Sequence, residues 1–560
     1  MSSSTPPLAI PAPAGRSDWD AWGDEPARLP AGARALVAAV LPGKAHPVPR
    51  RPRPELTPSR LTAEDLAALA SAAGRGAATT ADDTRMLHLG GKSTPDLLAR
   101  RLEDSQTAPD AVVSPTSHDE VQAVLGVCAD RGIAVVPFGG GTSVVGGVDP
   151  VSGPYDRVVS LDLARTAALL NLDEISLLAT FGAGTTGPQA EEMLAARGYT
   201  LGHFPQSFRY ASIGGFAATR SSGQASRGYG RFDDLVHALR VATPAGELHL
   251  GRAPASAAGP DLRQLFLGSE GAFGVLTEVT ARIRPVPGAT AYGAWTFPDF
   301  ESGAAALRSA TQRGIRPTVL RLSDESETRV NAALGGHVTR MRGALSVATF
   351  EGTTHAEAVA TRAALHEVFG THGGRSRGEE PARSWERGRF GSPALRDTLL
   401  DMGVLAETLE TAATWAQLPA LKREVTEALT ASLTADGTKP IVMCHISHVY
   451  PAGASLYFTV VAALTTDPAS QWQRAKDAAS RAIGTAGGTI THHHAVGRDH
   501  RPYLEDEIGP LGVAVLRAVK QTLDPAGIMN PGVLVTPAAE DPILAAPVAE
   551  AQAAAPPAAE

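Results

Sequence analysis

Pro137-Phe138-Gly139-Gly140-Gly141-Thr142-Ser143 is the stretch whose reading decides the fold. Residues 133–138 (IAVVPF) read as a short buried strand, which runs into three consecutive glycines and then two hydroxyls. Glycines permit positive φ and close approach of the main chain to a ligand. Successive N–H groups in such a loop form a concave anion nest, and Thr142 and Ser143 can add hydroxyl donors. A pyrophosphate suits that nest. Alone, the same residues also fit a glycine-rich turn with no ligand.

Working outward, Ser117-His118-Asp119-Glu120 has the spacing of a capping box and opens a helix that ends near Gly132. Helix, strand and glycine loop in succession are an α/β arrangement. Residues 156–163 and 175–181 read as further strands, and Pro188 to Arg197 as a helix closed by Gly198. An alanine-rich helical stretch runs from Thr62 to Ala73 and breaks at Gly74. Asp96, Arg100 and Arg101 (DLLARR) read as a solvated helix face. Residues 1–16 and 538–560 are Pro/Ala-rich and read as disordered tails.

Bulk properties exclude several classes. The 560 residues leave room for two or three domains, and 43% hydrophobic with 19% charged content suits a globular chain. A net charge of −8 argues against a nucleic-acid footprint. Two cysteines, Cys128 and Cys444, imply no disulfide framework, and a cytoplasmic setting is expected. No run approaches the ~18 apolar residues of a membrane span.

The glycine loop and the segments after it resemble the vanillyl-alcohol oxidase/p-cresol methylhydroxylase flavoproteins. Val144-Val145-Gly146-Gly147 follows the loop, and Pro205-Gln206-Ser207, Ile213-Gly214-Gly215, Ser222-Gly223 and Tyr229-Gly230 come in the same order. Gly268-Ser269-Glu270-Gly271 then opens the run GSEGAFGVLTEVTARIRPVP, ending at Pro287. The resemblance implies an α+β protein that binds FAD non-covalently. Its parts would be an N-terminal helical segment (17–104), a two-subdomain FAD-binding domain of the p-cresol methylhydroxylase type (105–287), an α+β substrate cap (288–500) and a C-terminal flavin-contacting segment (501–537). The cofactor contacts it implies are Pro137, Gly139, Gly140, Gly141, Thr142, Ser143 and Gly147 in the loop; Pro205, Ser207, Gly214, Gly215, Ser222 and Gly223; Glu270, Gly274 and Val275; and Asn530. An intact loop of this kind argues against a decayed, non-enzymatic flavin fold.

Within that superfamily, the chain is similar to alkyldihydroxyacetonephosphate synthase from Trp19 to about Val535. The matching pieces include Trp22-Gly23, Gly202-His203-Phe204-Pro205, Leu320-Arg321-Leu322, Glu407 to Thr411 (ETLET), Ala452 to Phe458 and His492-His493-His494-Ala495-Val496-Gly497. The resemblance implies exchange of the acyl group of acyl-dihydroxyacetone phosphate for a fatty alcohol. Flavin N5 would hold the substrate carbon, without net redox change. It implies Tyr457 as the acid–base group and His492, His493 and His494 for proton transfer and orientation. Arg321 would contact phosphate or carbonyl oxygens, and His203 joins the catalytic set. A lipid-handling enzyme of this family is expected to be a homodimer, with peripheral membrane contact as one role for the apolar stretch Leu395–Leu421; a chain tunnel or ordinary core are the others.

The bland readings are core packing for Tyr457 and a structural ion pair for Arg321. If residues 492–494 form a strand, neighbours alternate faces and only His492 and His494 share one. One departure matters: where the synthase has arginine after its cysteine, this chain has His445 in Cys444-His445-Ile446-Ser447-His448-Val449-Tyr450. The alternative reaction is oxidation of a D-2-hydroxy acid such as lactate or glycolate by an FAD-linked dehydrogenase of the same fold. No metal is expected, although His445 and His448, with His492 or His494, have spacing that would suit zinc.

Overall fold

The computed structural model describes residues 18–22 and 46–536 except 75 and 335–341, together with positions 29, 34 and 37. The expected tails, 1–16 and 538–560, lie outside the described residues.

Three large sheets carry the described chain. In the first, Ala111–Val113, Val158–Asp162 and Ala134–Phe138 run parallel, with Ala78–Thr79 on the outer edge. Every residue of Ala111–Val113 and Val158–Asp162 is buried, as parallel strands covered on both faces require. The crossover is the helix His118–Arg131. It is capped by the Ser117 side chain, which accepts from Glu120 N, and ends at Gly132 in the left-handed conformation. The second sheet is antiparallel, in the order Gly246–Leu250, Val236–Thr243, Val275–Arg282, Leu178–Gly182, Leu169–Asp173. The chain returns to the first sheet near its end: Met529 bridges Val135, and Asn530 N donates to Val135 O.

The third sheet has seven antiparallel strands. They run Arg375–Ser376, Ala289–Phe297, Ala344–Gly352, Val319–Ser323, Ile441–Ile446, Gly453–Ala463, Val404–Thr414. Leu320, Leu322, Cys444, Ile446, Leu456 and Phe458 belong to one buried apolar cluster with residues of the helices Phe300–Gln312, His355–Thr371, Leu418–Ala435 and Pro468–Thr485. Side chains alternate along a strand, so Arg321, His445 and Tyr457 stand on the opposite face. The Leu395–Leu421 stretch is ordinary core: Leu400, Leu405, Leu409, Leu418 and Leu421 all lie in the same cluster.

The solvated face expected for DLLARR is not found. Arg100 and Arg101, on the helix Thr94–Leu102, are 3% and 1% exposed. Arg101 donates to Val48 O and Asp401 and lies near Asp397, while Arg100 donates to Trp19 O and Gly91 O. The helix is sandwiched between the N-terminal segment and residues some 300 positions away, which no local pattern reveals. The 17–104 segment is not wholly helical either, since it supplies the strands Glu55–Leu56 and Ala78–Thr79.

Candidate flavin and acid–base site

Residues 139–143 leave the first sheet and pack on the turn that follows Pro205. A Cβ on Gly140 would stand 2.0 Å from Tyr210 O, and one on Gly147 2.4 Å from Glu270 Oε1, so neither position admits a side chain as built. Among the described residues, the N–H groups of Gly139, Gly140, Gly141, Thr142 and Ser143 donate no hydrogen bond. Backbone donors left without internal partners in a part-buried loop call for a ligand acceptor, and a row of them suits an anion.

The walls of this cradle are set by buried polar groups. Ser143 Oγ accepts from Gly147 N at 3.0 Å. Asn530 Nδ2 donates to Gly147 O and Glu270 O, at 2.8 and 2.7 Å. Glu270 is buried with positive φ and accepts from Gly497 N, while its Oε1 has no hydrogen-bond partner among the described residues. Burial pushes its carboxyl up to about 8, so it is protonated at neutral pH. Val275 begins the strand next to Gly274, where a Cβ would meet Ala242 O at 2.7 Å. Gly214 N donates to Ala183 O, Gly215 N to Ser212 Oγ, and Ser207 O accepts from Tyr210 N and Ala211 N. Gly223 packs on Phe204 N and His203 Nδ1.

The acid–base groups come from strand register. His445 pairs with Tyr457, and Tyr457 with Glu410 on the edge strand Val404–Thr414. Directly paired residues share a face, so the three form one row across the third sheet. Tyr457 lies parallel to His445 (4.9 Å between centroids) and to His493 (6.0 Å), with His494 edge-on at 5.7 Å. Burial raises its phenol above the ordinary value.

Residues 492–494 form a bend rather than the strand considered from sequence. Glu410 is the reason: its two oxygens accept the N–H groups of His492, His493 and His494 at 2.6, 3.1 and 2.8 Å. Three consecutive amides turned onto one carboxylate cannot alternate as a ladder does, and all three imidazoles gather near it. Burial works against the Glu410 charge, but His493, His494 and His492 hold it well below the usual carboxylate range. Hydrogen bonds to the charged form act in the same direction. Burial pushes His492 and His494 down to about 3 and lowers His493, so all are neutral at pH 7.

Arg321 stands beside His445. Its Nη2 donates to Glu327 Oε1 (2.6 Å) and to His445 Nδ1 (2.9 Å). Burial alone would raise Glu327, but His445 and Arg321 hold it down to about 2. Arg321 Nε and Nη1 carry no hydrogen bond among the described residues. His448 Nδ1 faces Ser222 Oγ at 3.0 Å and Ser226 Oγ at 2.5 Å. One nitrogen from each of His448, His492 and His493 lies within 4.8 Å of the others, which a metal ion could bridge by distance. His445 is not among them. His203 lies apart, bonded to Ser221 and packed on Phe216 and Phe232, with no described contact to Tyr457 or the three histidines.

Glu410 and Glu327 were not singled out from sequence. Glu410 lies inside the ETLET match, which carried the signal; nothing local marked Glu327.

Residues 109–251 match the family described as FAD binding domain, and 286–534 the family described as FAD linked oxidases, C-terminal domain. The chain is similar to an alkyldihydroxyacetonephosphate synthase of Trypanosoma brucei brucei: 33% identity over 478 residues, 80% of this chain and 77% of the relative. A solved alkyldihydroxyacetonephosphate synthase superposes with a TM-score of 0.80 at 27% identity, covering 92% of this chain and 98% of the other. A p-cresol methylhydroxylase structure shares the fold, with a TM-score of 0.68 at 16% identity, covering 86% and 99%. With FAD as its cofactor and an α+β fold of the p-cresol methylhydroxylase type, this chain belongs to the alkyldihydroxyacetonephosphate synthase family of flavoproteins.

Proposed function

We propose that the enzyme exchanges the acyl group of acyl-dihydroxyacetone phosphate for a fatty alcohol, forming an ether bond. The observation that carries this reading is the Tyr457 row, a buried phenol between His445 and His493 beside the Glu410-anchored histidines. FAD would be held non-covalently by residues 139–143, with Gly147, Glu270 and Asn530 behind them, and supplies a ring able to take up and return an electron pair. Tyr457 is the acid–base group at the substrate carbon, and a positioned acid–base group contributes about 10²–10⁴-fold. The neutral imidazoles accept the proton of the incoming alcohol and return one as the fatty acid leaves. Arg321 directs its free Nε and Nη1 to a carbonyl oxygen. His203 shapes the flavin side. A homodimer and cytoplasmic placement belong to the same proposal. Among the described residues, no helix is long and apolar enough to cross a membrane.

The test is an anaerobic absorbance titration of the purified holoenzyme. Acyl-dihydroxyacetone phosphate with a long-chain alcohol should give ether product with no lasting flavin bleaching. D-lactate or glycolate should leave the spectrum oxidised. Lasting bleaching by a hydroxy acid, without ether product, would replace this reading with the dehydrogenase one.

A further inference from the structure

We propose that Arg389 binds the anionic headgroup of the substrate, an inference that rests on the ether-forming reading above. Arg389 directly follows the helix Glu380–Gly388 with its cap Arg389, and is 7% exposed. Its guanidinium carbon lies 4.8 Å from the ring centroids of both Phe204 and Phe390, and Phe208 stacks on Phe390 at 5.5 Å. Among the described residues the guanidinium donates no hydrogen bond and meets no carboxylate within ion-pair distance. Glu386, Glu351 and Glu191 act on it only through space. Each is engaged elsewhere: Glu386 accepts from Tyr292 Oη at 2.7 Å, Glu351 from Tyr229 Oη, and Glu191 from Thr200 Oγ1 and Gly202 N. A buried cation without a bonded partner is costly. An incoming anion removes that cost.

The position suits the reaction. Arg389 O accepts from Gln224 Nε2 at 3.2 Å, and Gln224 N donates to Phe204 O. Ser222 and Ser226, on either side of Gln224, both face His448 Nδ1. One five-residue segment therefore touches the histidine cluster on one side and Arg389 on the other. Arg321 is the less suited cation for a phosphate, because Glu327 already offsets its charge at 2.6 Å. The structure divides the work: Arg321 for a neutral carbonyl oxygen, Arg389 for the phosphate, whose oxygens match the guanidinium fork.

Steady-state kinetics of the holoenzyme and its Arg389→Met and Arg389→Lys variants test this, with inorganic phosphate as inhibitor. Losing one partner of a desolvated charge pair should raise KM for acyl-dihydroxyacetone phosphate by roughly 30-fold or more, with kcat changed far less. Arg389→Lys should fall between the two. Phosphate should compete with substrate in the wild type and not in Arg389→Met. A flavin-replete Arg389→Met enzyme with unchanged KM and phosphate inhibition would overturn the assignment. If that variant fails to retain FAD, an unchanged KM in Arg389→Lys overturns it instead. Equilibrium dialysis of phosphate needs no turnover, so it separates this assignment from the reaction. Binding lost in Arg389→Met supports Arg389 even where no ether product forms, and equal binding in both proteins refutes it.

Discussion

At the scale of single residues, the proposed proton chemistry rests on Tyr457, whose phenol burial raises above its ordinary value between two flanking rings. Tyr457→Phe keeps the stacking and removes only the hydroxyl. It should retain the FAD spectrum and lose about 10²–10⁴-fold in turnover; unchanged turnover would take Tyr457 out of the mechanism. Glu270 gives a second prediction. Its folded value, about 8, lies above the ordinary 4.5, so between those values the folded state holds a proton that the unfolded state has released. The group therefore costs stability progressively as pH rises from about 4.5 to 8. Glu270→Gln should show less of that decline than wild type when urea midpoints at pH 7 and 8 are compared, above the range in which the buried histidines act. An equal decline in both proteins would mean that Glu270 is already ionised when folded.

At the scale of elements, the helix Thr94–Leu102 is joined through Arg101, Asp397 and Asp401 to the helix Ser392–Asp401, which leads into the edge strand of the third sheet. Removing one member of a buried ionic group costs about 3–5 kcal/mol. Arg101→Ala should lower unfolding stability on that order, measured by denaturant titration, and a loss under about 1 kcal/mol would show that water replaces the guanidinium. Elements also mark where sequence reading succeeds. The glycine run was legible because glycine is the residue that both a left-handed φ, as at Gly141, and a close backbone approach, as at Gly140, require. The helix from His118 was legible through Ser117 and Gly132. The row His445–Tyr457–Glu410 was not, since it depends on the register of strands separated by up to 47 positions, which composition does not encode. The bend at 492–494 was missed for the same reason: its cause, Glu410, sits 82 residues earlier.

At the scale of the whole molecule, buried neutral histidines set the acid limit. His203, His492 and His494 are held at about 3 by burial, and His500 at about 4. Their folded values lie below the ordinary 6.5, so the unfolded chain takes up protons first as pH falls. The stability they contribute is complete above about 6.5 and is lost below it, by about 1.4 kcal/mol per pH unit for each histidine. Urea midpoints should therefore drop steeply between pH 6.5 and 5, and a flat profile would mean that these imidazoles are solvated. Motif order predicts a flavin side followed by a separate cap, and the third sheet is built from residues 289–463. An ion pair for Arg321 was among the readings of the sequence, but its partner was not, because Glu327 carries no motif.

The segment from His492 to Gly497 is fastened at one end to the third sheet and at the other to the turn that precedes the strand Val275–Arg282. Glu410, on the third sheet, holds its first three amides, and Glu270, beside the glycine loop, holds the amide of Gly497. Two carboxyls in opposite protonation states thus grip one short span of chain. The three imidazoles therefore ride on a tether strung between the partner strand of Tyr457 and the wall of the glycine cradle. A substitution at either carboxyl would free one end of this tether and leave the three imidazoles held from one side only.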